Sequence, residues 1–90
     1  MIVSNMINNN GNKVPNQFII EDDNGNEYFQ SYSSMIVKKA ATDGSIELDW
    51  NYWNYSRTTS KYRNIFLNET TQDTKRKIDS GEYRLVDLNR

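Results

Sequence analysis

Apolar residues in the first half of the chain form short runs separated by polar turns, a pattern typical of β-strands. Residues 17–21 form one run, and residues 27–32 begin a second that continues to Val37. The Asn24-Gly25 pair between them is the strongest short-range signal for a hairpin turn. The sequence therefore predicts two antiparallel strands joined at this pair.

Strict alternation over residues 45–50 predicts a further strand. Ile46, Leu48 and Trp50 face one way, and the polar residues Ser45, Glu47 and Asp49 face the other. This is the pattern of a half-buried antiparallel strand. Asp43-Gly44 supplies the turn that precedes it.

Helical periodicity begins after residue 57. Tyr62, Ile65 and Phe66 lie at positions i, i+3 and i+4, which places them on one face of a helix. The hydroxyl residues 58–60 are candidates for its N-cap. The sequence therefore predicts a first helix with its apolar side at these three residues.

A second helix and a final strand complete the pattern. Thr70 or Thr71 caps a helix that continues through Ile78, and Ser80-Gly81 provides its stop signal. Residues 82–88 then form a last strand. This order of elements predicts an α+β fold, in which two short helices pack on one face of a small antiparallel sheet of four to five strands.

The chain is long enough for one domain, which we assign to residues 13–90. Residues 1–12 form a separate N-terminal segment, because a polar, turn-like stretch follows the first seven residues. Those seven residues are either a frayed start or an edge strand.

Composition excludes several kinds of chemistry. The chain has no His and no Cys, so it lacks imidazole or thiolate metal ligands, disulfides, and Ser-His or Cys-His catalysis. Asp22, Asn24 and Asn26 alternate as in a calcium loop, but Glu27 and Ser33 occupy the positions where that loop needs Gly and Glu. We therefore expect no enzymatic activity, no cofactor and no bound metal.

The apolar content predicts a thin core. Leu, Ile, Val and Phe make up 19 of 90 residues, close to the ~20% below which chains tend to be disordered. A formal net charge of −1 favours folding, because disorder usually combines low hydrophobicity with high net charge. We expect a folded domain whose stability is either modest or assisted by self-association.

Several segments together resemble a known group of proteins. They are residues 14–20, the Tyr-Phe-Gln-Ser-Tyr motif of residues 28–32, the Tyr-Ser-Arg-Thr-Thr motif of residues 55–59, and residues 78–83. The chain from about residue 14 to residue 90 resembles a family of small uncharacterised proteins encoded by phages and mobile elements of Gram-positive bacteria with AT-rich genomes. The resemblance implies a phage accessory protein that acts in the host cytoplasm.

No targeting segment or membrane span is predicted from the sequence. The first residues carry no basic region, and no run approaches the ~18 apolar residues of a membrane-spanning helix. We therefore expect no membrane partner. The 13 asparagines are best explained by the codon usage of an AT-rich genome.

The aromatic run of residues 50–55 is the most unusual stretch of the chain. Its large side chains cannot all share one face of a strand, so some of them are expected at the surface. Packing at the junction of strand and helix is the default interpretation, and the alternative is a binding surface, because Trp, Tyr and Arg dominate interface hot spots. The candidate partner-binding residues are Tyr52, Trp53, Tyr55, Arg57 and Lys61.

Nucleic-acid binding is the alternative surface function. Residues 1–54 hold 3 basic and 7 acidic residues, whereas residues 55–90 hold 8 basic and 5 acidic. Cations concentrated on two helices can neutralise phosphates, although a solvated helix face with local ion pairs is the favoured explanation. The candidate residues are Arg57, Lys61, Arg63, Lys75, Arg76 and Lys77.

The resemblance and the surface candidates lead to one functional hypothesis. We expect a phage protein that binds and inhibits or redirects a host protein or ribonucleoprotein, with an anti-CRISPR-like counter-defence role as one form of it. A nucleic-acid-binding module that uses residues 57–77 is the alternative. A structural component that works as an oligomer is a third interpretation.

Overall fold

The computed structural model describes residues 1–90 and contains six strands and two helices. In chain order they are β1 (Ile2–Ile7), β2 (Lys13–Glu21), β3 (Glu27–Ser31), β4 (Ser34–Lys39), β5 (Ile46–Asp49), α1 (Arg57–Leu67), α2 (Thr71–Asp79) and β6 (Arg84–Val86). The protein is therefore an α+β protein with two helices, as the sequence predicts.

All six strands form one sheet in the order β1-β2-β3-β4-β5-β6. The first five strands are an antiparallel meander, and β6 pairs with β5 in parallel. A parallel neighbour requires a crossover that returns the chain to the start of the previous strand, and α1 and α2 provide it. The predicted sheet of four to five strands therefore lacks at least one strand of the observed sheet. The prediction that all strands are antiparallel is wrong for β6, which runs parallel to β5.

The additional strand arises from a turn at Tyr32 and Ser33, where the sequence has neither glycine nor proline. β3 and β4 were expected to be one strand, but Tyr32 and Ser33 separate them in a tight hairpin. Tyr32 adopts a φ of 56°, a left-handed conformation that is uncommon for a residue other than glycine. At the β2–β3 connection Gly25 has a φ of 84°, and the hairpin lies where Asn24-Gly25 predicts it.

The first seven residues form the edge of the sheet. β1 pairs with β2 from Ile2 to Asn5, and a bulge then shifts the register before Ile7. Of the two alternatives for this segment, the structure has the edge strand. The bulge bends the end of β1, and Met6 is buried there.

The core lies between the two helices and one face of the sheet. Phe29 of β3 stacks on Phe66 of α1 with ring centroids 6.0 Å apart. A bulge in β4 leaves Ile36 without a partner opposite β3, so that consecutive residues Ile36 and Val37 are both buried. The core cluster consists of Met6, Val14, Phe29, Ile36, Val37, Leu48, Tyr62 and Tyr83.

Three of the face assignments made from periodicity are wrong. Trp50 lies beyond the end of β5 and is 61% exposed, and Ile65 on α1 is also exposed. Asp49, expected on the polar face, is buried. The alternation fails here because β5 ends at Asp49 and the chain turns away at Trp50.

Side-chain hydroxyls cap both helices. Ser56 is the N-cap of α1 and accepts a hydrogen bond from the backbone N–H of Thr59, which places the helix start before the expected residues 58–60. Thr70, one of the two residues predicted for this position, caps α2 and forms a reciprocal capping box with Asp73.

Candidate functional site

A groove of about 580 Å³ lies at the N-terminal end of α1. Nine of its ten lining residues carry hydroxyl groups, and none of the ten is charged. The lining consists of Ser31, Tyr32, Ser33, Ser34, Ile36, Tyr52, Tyr55, Ser56, Thr58 and Thr59. Hydroxyl groups both donate and accept hydrogen bonds, so this surface suits polar, uncharged contacts.

Three separate segments build the groove. The β3–β4 hairpin contributes one wall with Tyr32, and the loop between β5 and α1 contributes Tyr52 and Tyr55. The first turn of α1 closes the groove from the third side. The rings of Tyr52 and Tyr55 meet edge to face with centroids 5.5 Å apart, which supports both rings against each other.

Hydroxyl groups bond to one another along the lining of the groove. The hydroxyls of Ser31 and Thr59 lie 2.9 Å apart, and Ser56 donates to Thr59 at 3.1 Å. Gln17 is a buried polar residue next to this hydroxyl network, because it lies opposite Ser31 across the β2–β3 pair. Its side chain is completely buried, and neither polar atom of its amide has a hydrogen-bond partner.

Asp49 holds the aromatic loop in place. One of its carboxylate oxygens accepts the backbone N–H groups of Asn51 and Tyr52 at 3.1 and 2.9 Å. The other oxygen accepts the N–H of Leu88 at 2.9 Å. These bonds explain why an acidic side chain is buried here, and they connect the loop to the end of the chain.

Arg63 supports the same loop from beneath. Its guanidinium donates to the backbone oxygen of Trp53, to Oδ1 of Asn54 at 3.2 Å and to Oγ1 of Thr71 at 2.8 Å. The guanidinium also lies 5.2 Å from the centre of the Trp53 ring. Burial lowers the pKa of Arg63, and the nearby charge of Glu69 acts in the opposite direction.

The structure divides the five predicted partner-binding residues. Tyr52 and Tyr55 line the groove, and exposed Arg57 lies in the chain between two lining residues. Trp53 is half-buried against the core. Lys61 is exposed but lies over the ring of Tyr62, at 5.3 Å, and lines a different groove.

Sequence reasoning missed the wall that the β3–β4 hairpin contributes. The hint was the run Ser31-Tyr32-Ser33-Ser34, whose composition is that of a turn with an exposed aromatic residue. Because this run was assigned to the middle of a strand, its side chains were not considered as part of a site.

The six basic residues do not form one surface. Arg63 is completely buried, so its assignment as a phosphate contact is corrected: its guanidinium faces the protein. Lys77 is bound to Glu69 at 2.8 Å, and Arg76 pairs with Asp73. Arg57, Lys61 and Lys75 remain as exposed cations without a salt bridge.

A second polar cluster lies at the opposite end of α1. The carboxylate of Glu69 accepts hydrogen bonds from Thr74 at 2.6 Å, Lys77 at 2.8 Å and Tyr83 at 2.7 Å. Burial acts to raise the pKa of Glu69, but these three donors outweigh it and hold the pKa below its ordinary value.

The pKa values of the two titratable partners of Glu69, Tyr83 and Lys77, are shifted upward. Burial, together with the hydrogen bond to Glu69, raises the pKa of Tyr83 to about 12. The hydrogen bond to Glu69 likewise raises the pKa of Lys77. Neutral tyrosine and charged lysine are the forms that donate to the carboxylate, so the cluster is a closed structural network at neutral pH.

No group of three or more acidic side chains is placed to hold a metal ion. Neither helix is long and apolar enough to cross a lipid bilayer.

The fold and the groove define a class of protein: a small α+β domain in which two helices cover one face of a mixed sheet, with an uncharged, tyrosine-lined groove at the start of the first helix. The chain belongs to a family of unknown function, DUF8033, whose model matches residues 1–82. No curated protein and no solved structure matches the chain.

Proposed function

We propose that the protein is a non-enzymatic binding protein that holds a partner protein in the tyrosine-lined groove. In this proposal it is an accessory protein of a phage or mobile element, and it inhibits or redirects a protein or ribonucleoprotein in the cytoplasm of a Gram-positive host. An anti-CRISPR-like counter-defence role is the form that the proposal favours. The observation that carries the binding function is the groove formed by Tyr32, Tyr52 and Tyr55 among serine and threonine hydroxyls.

The composition of the groove favours a protein partner. Tyrosine supplies a large, rigid contact area at low cost in side-chain entropy, and serine supplies adaptable hydrogen bonds, which is the combination that antibody paratopes use. Tyr55 is 67% exposed, so its ring is available to a partner. Arg57 next to the groove adds a residue type that is frequent in interface hot spots.

The groove lacks the means to activate its hydroxyls. A serine or threonine nucleophile needs an adjacent base, and no carboxylate, lysine or histidine lines the groove. The hydroxyls of Ser31 and Thr59 instead bond to each other. These contacts support binding rather than catalysis.

A pull-down with matched variants tests the proposal. Immobilised wild-type protein, Tyr55→Ala and Trp50→Ala are exposed to an extract of Gram-positive host cells. Trp50 is a control because it is an exposed aromatic residue outside the groove. We expect one stoichiometric protein partner that wild type and Trp50→Ala retain and Tyr55→Ala loses. Equal recovery by all three proteins would contradict the use of the groove.

The counter-defence role has its own test. Wild type and Tyr55→Ala are expressed in a host whose CRISPR system restricts a phage, and plaques are counted. We expect wild type to restore plaque formation and Tyr55→Ala to lose this effect. If a partner is found but plaque numbers do not change, the groove remains a binding site and the partner belongs to another host process.

Nucleic-acid binding is the alternative outcome. Phosphate contacts are strongest at low salt, so a gel shift with DNA and RNA at low ionic strength is the sensitive measurement. Retardation that a Lys75→Gln, Arg57→Gln double variant abolishes would favour nucleic acid over a protein partner.

A further inference from the structure

Exposed apolar side chains concentrate at one edge of the sheet. Met1, Ile2, Val3 and Ile7 are all exposed, and so is Ile65 of α1. Ile7 and Ile65 line a groove of about 350 Å³ between the end of β1 and α1. We refer to these five residues as the β1 edge; they account for five of the nine exposed large hydrophobic side chains of the protein.

The backbone of β1 is paired on one side only. β1 hydrogen-bonds to β2, and no strand lies on its other side. An edge strand presents a row of free N–H and C=O groups, which is a template for another β-strand. The chemistry of the surface therefore specifies a strand as its occupant.

The other edge of the sheet is protected. β6 has only three residues, begins with Arg84, and is followed by Asp87. Arg84 also forms an ion pair with Glu47 of β5 at 3.7 Å. Short length and charge are the usual means by which natural proteins prevent edge-to-edge pairing. β1 has six residues and no charged residue or proline.

We propose that a second copy of this chain pairs with β1 in antiparallel orientation and forms a symmetric dimer with one continuous sheet. An interface around a two-fold axis must be self-complementary. Within the ladder two β1 strands meet this condition, because all six residues are uncharged. The charges that flank the ladder are the Met1 amino group, which pairs with Asp23, and Lys61 in the neighbouring groove.

The size of the surface indicates a weak dimer. The bulge after Asn5 limits the straight part of the strand to Ile2–Asn5. A ladder of four residues with the apolar side chains of the β1 edge is a small interface, close to the lower limit of about 1,000 Å² for specific interfaces. We therefore expect a dissociation constant on the order of 10–100 μM.

Dimerisation leaves both partner-binding grooves available. None of the residues that line the tyrosine groove belongs to the β1 edge. A dimer thus presents two identical grooves, and a partner with two copies of its epitope gains apparent affinity through effective concentration.

Sedimentation of the untagged chain tests the dimer. Velocity runs at ~5 to ~500 μM bracket the expected dissociation constant. We expect the mass to rise from the monomer value of 10.6 kDa to twice that value. Val3→Lys places a charge on the edge and is expected to weaken the dimer at least about tenfold. Leu85→Lys, which introduces the same charge on β6, leaves dimerisation unchanged.

Two control measurements accompany the sedimentation runs: one for folding of the variants and one for the tyrosine-lined groove. Val3 is 56% exposed and Leu85 43% exposed, so a thermal melt is expected to show both variants folded. A wild-type chain that stays monomeric up to the highest concentration overturns the proposal. So does a folded Val3→Lys that dimerises as the wild type does. Tyr55→Ala is expected to dimerise normally, which distinguishes failure of this proposal from failure of the groove.

Discussion

The two ends of α1 carry polar clusters of opposite character. At the C-terminal end, one buried carboxylate, Glu69, receives three donors and is closed to solvent contact by them. At the N-terminal end, hydroxyls and tyrosines line an open groove without any charge. The closed cluster connects α2 and the residue before β6 to α1, and its bonds are internal. In the open cluster, the hydroxyls of Tyr32, Ser33, Tyr55 and Thr58 belong to exposed residues and keep hydrogen-bonding capacity at the surface, which is what a binding site needs.

The two clusters also differ in whether they are supported by the buried arginine, Arg63. Arg63 lies on α1 between the two clusters, but its hydrogen bonds go to the loop behind the groove and to Thr71. The open groove therefore depends on a buried support, whereas the closed cluster supports itself. This separation predicts that substitutions beneath the groove lower the free energy of unfolding, whereas substitutions within the groove weaken the capture of a partner.

The largest effect is expected at the support. Arg63→Ala leaves a cavity and removes donors from Trp53 and Thr71, so we expect a loss of about 3 kcal/mol in the free energy of unfolding, measured by urea denaturation. Arg57→Ala is the control, because Arg57 is exposed and should change stability by less than about 0.5 kcal/mol. Similar values for the two variants would refute the role of Arg63 as a support.

The next effect is expected in the closed cluster. Glu69→Gln removes the negative charge that Lys77 and Tyr83 bond to, and charge-assisted hydrogen bonds are stronger than neutral ones. We expect a loss of about 2 kcal/mol in the same denaturation experiment. Glu82→Gln changes an exposed glutamate and is expected to be neutral. Equal effects of both substitutions would remove the distinction between the two ends.

Acid titration sharpens the assignment to Glu69. Its pKa in the folded protein is held below the ordinary value of 4.5, so the unfolded chain binds its proton first as the pH falls. The stabilisation is present above pH 4.5 and is lost as the pH falls through the folded pKa. We expect the stability difference between wild type and Glu69→Gln to shrink from pH 6 to pH 3. A constant difference would show that the charge of Glu69 does not stabilise the fold.

The smallest effect on stability is expected inside the groove. Tyr55 is largely exposed, so Tyr55→Ala should lower the free energy of unfolding by no more than about 0.5 kcal/mol. Tyr83→Phe, which removes only a hydroxyl but from the closed cluster, should cost about 1 kcal/mol. Partner capture should respond in the reverse order. A Tyr55→Ala variant that unfolds readily would mean that the groove tyrosines serve packing.

Local signals predicted much of the backbone. The hairpin at Asn24-Gly25, the cap of α2 at Thr70 and the stop at Ser80-Gly81 all act within a few residues of the chain, so neighbouring residues are sufficient to specify them. Where the local signal is weak, the prediction failed. Tyr32 occupies a left-handed turn position without being glycine, and contacts with residues distant in sequence, such as its N–H bond to the oxygen of Asn16, hold it there.

Half of the candidate site followed from the sequence. The aromatic run pointed to Tyr52 and Tyr55, because its large side chains cannot all share one face of a strand and some of them were expected at the surface. Trp53 and Lys61 are outside the groove, and the opposite wall was missed because the hairpin at Tyr32 was missed. Arg63 was assigned to the surface by residue type alone, whereas packing against Trp53 and Thr71 decides its position.

The sequence by itself determined the fold class, the order of most elements, the absence of histidine and cysteine side chains, and an aromatic run before α1. These depend on side-chain identity and on periodicity along the chain. Only the tertiary structure decided which hydroxyls meet in the groove, that Arg63 and Asp49 are buried beneath it, and that β6 lies parallel to β5. Those features depend on contacts between residues far apart in the chain, whose geometry exists only once the sheet and helices have packed.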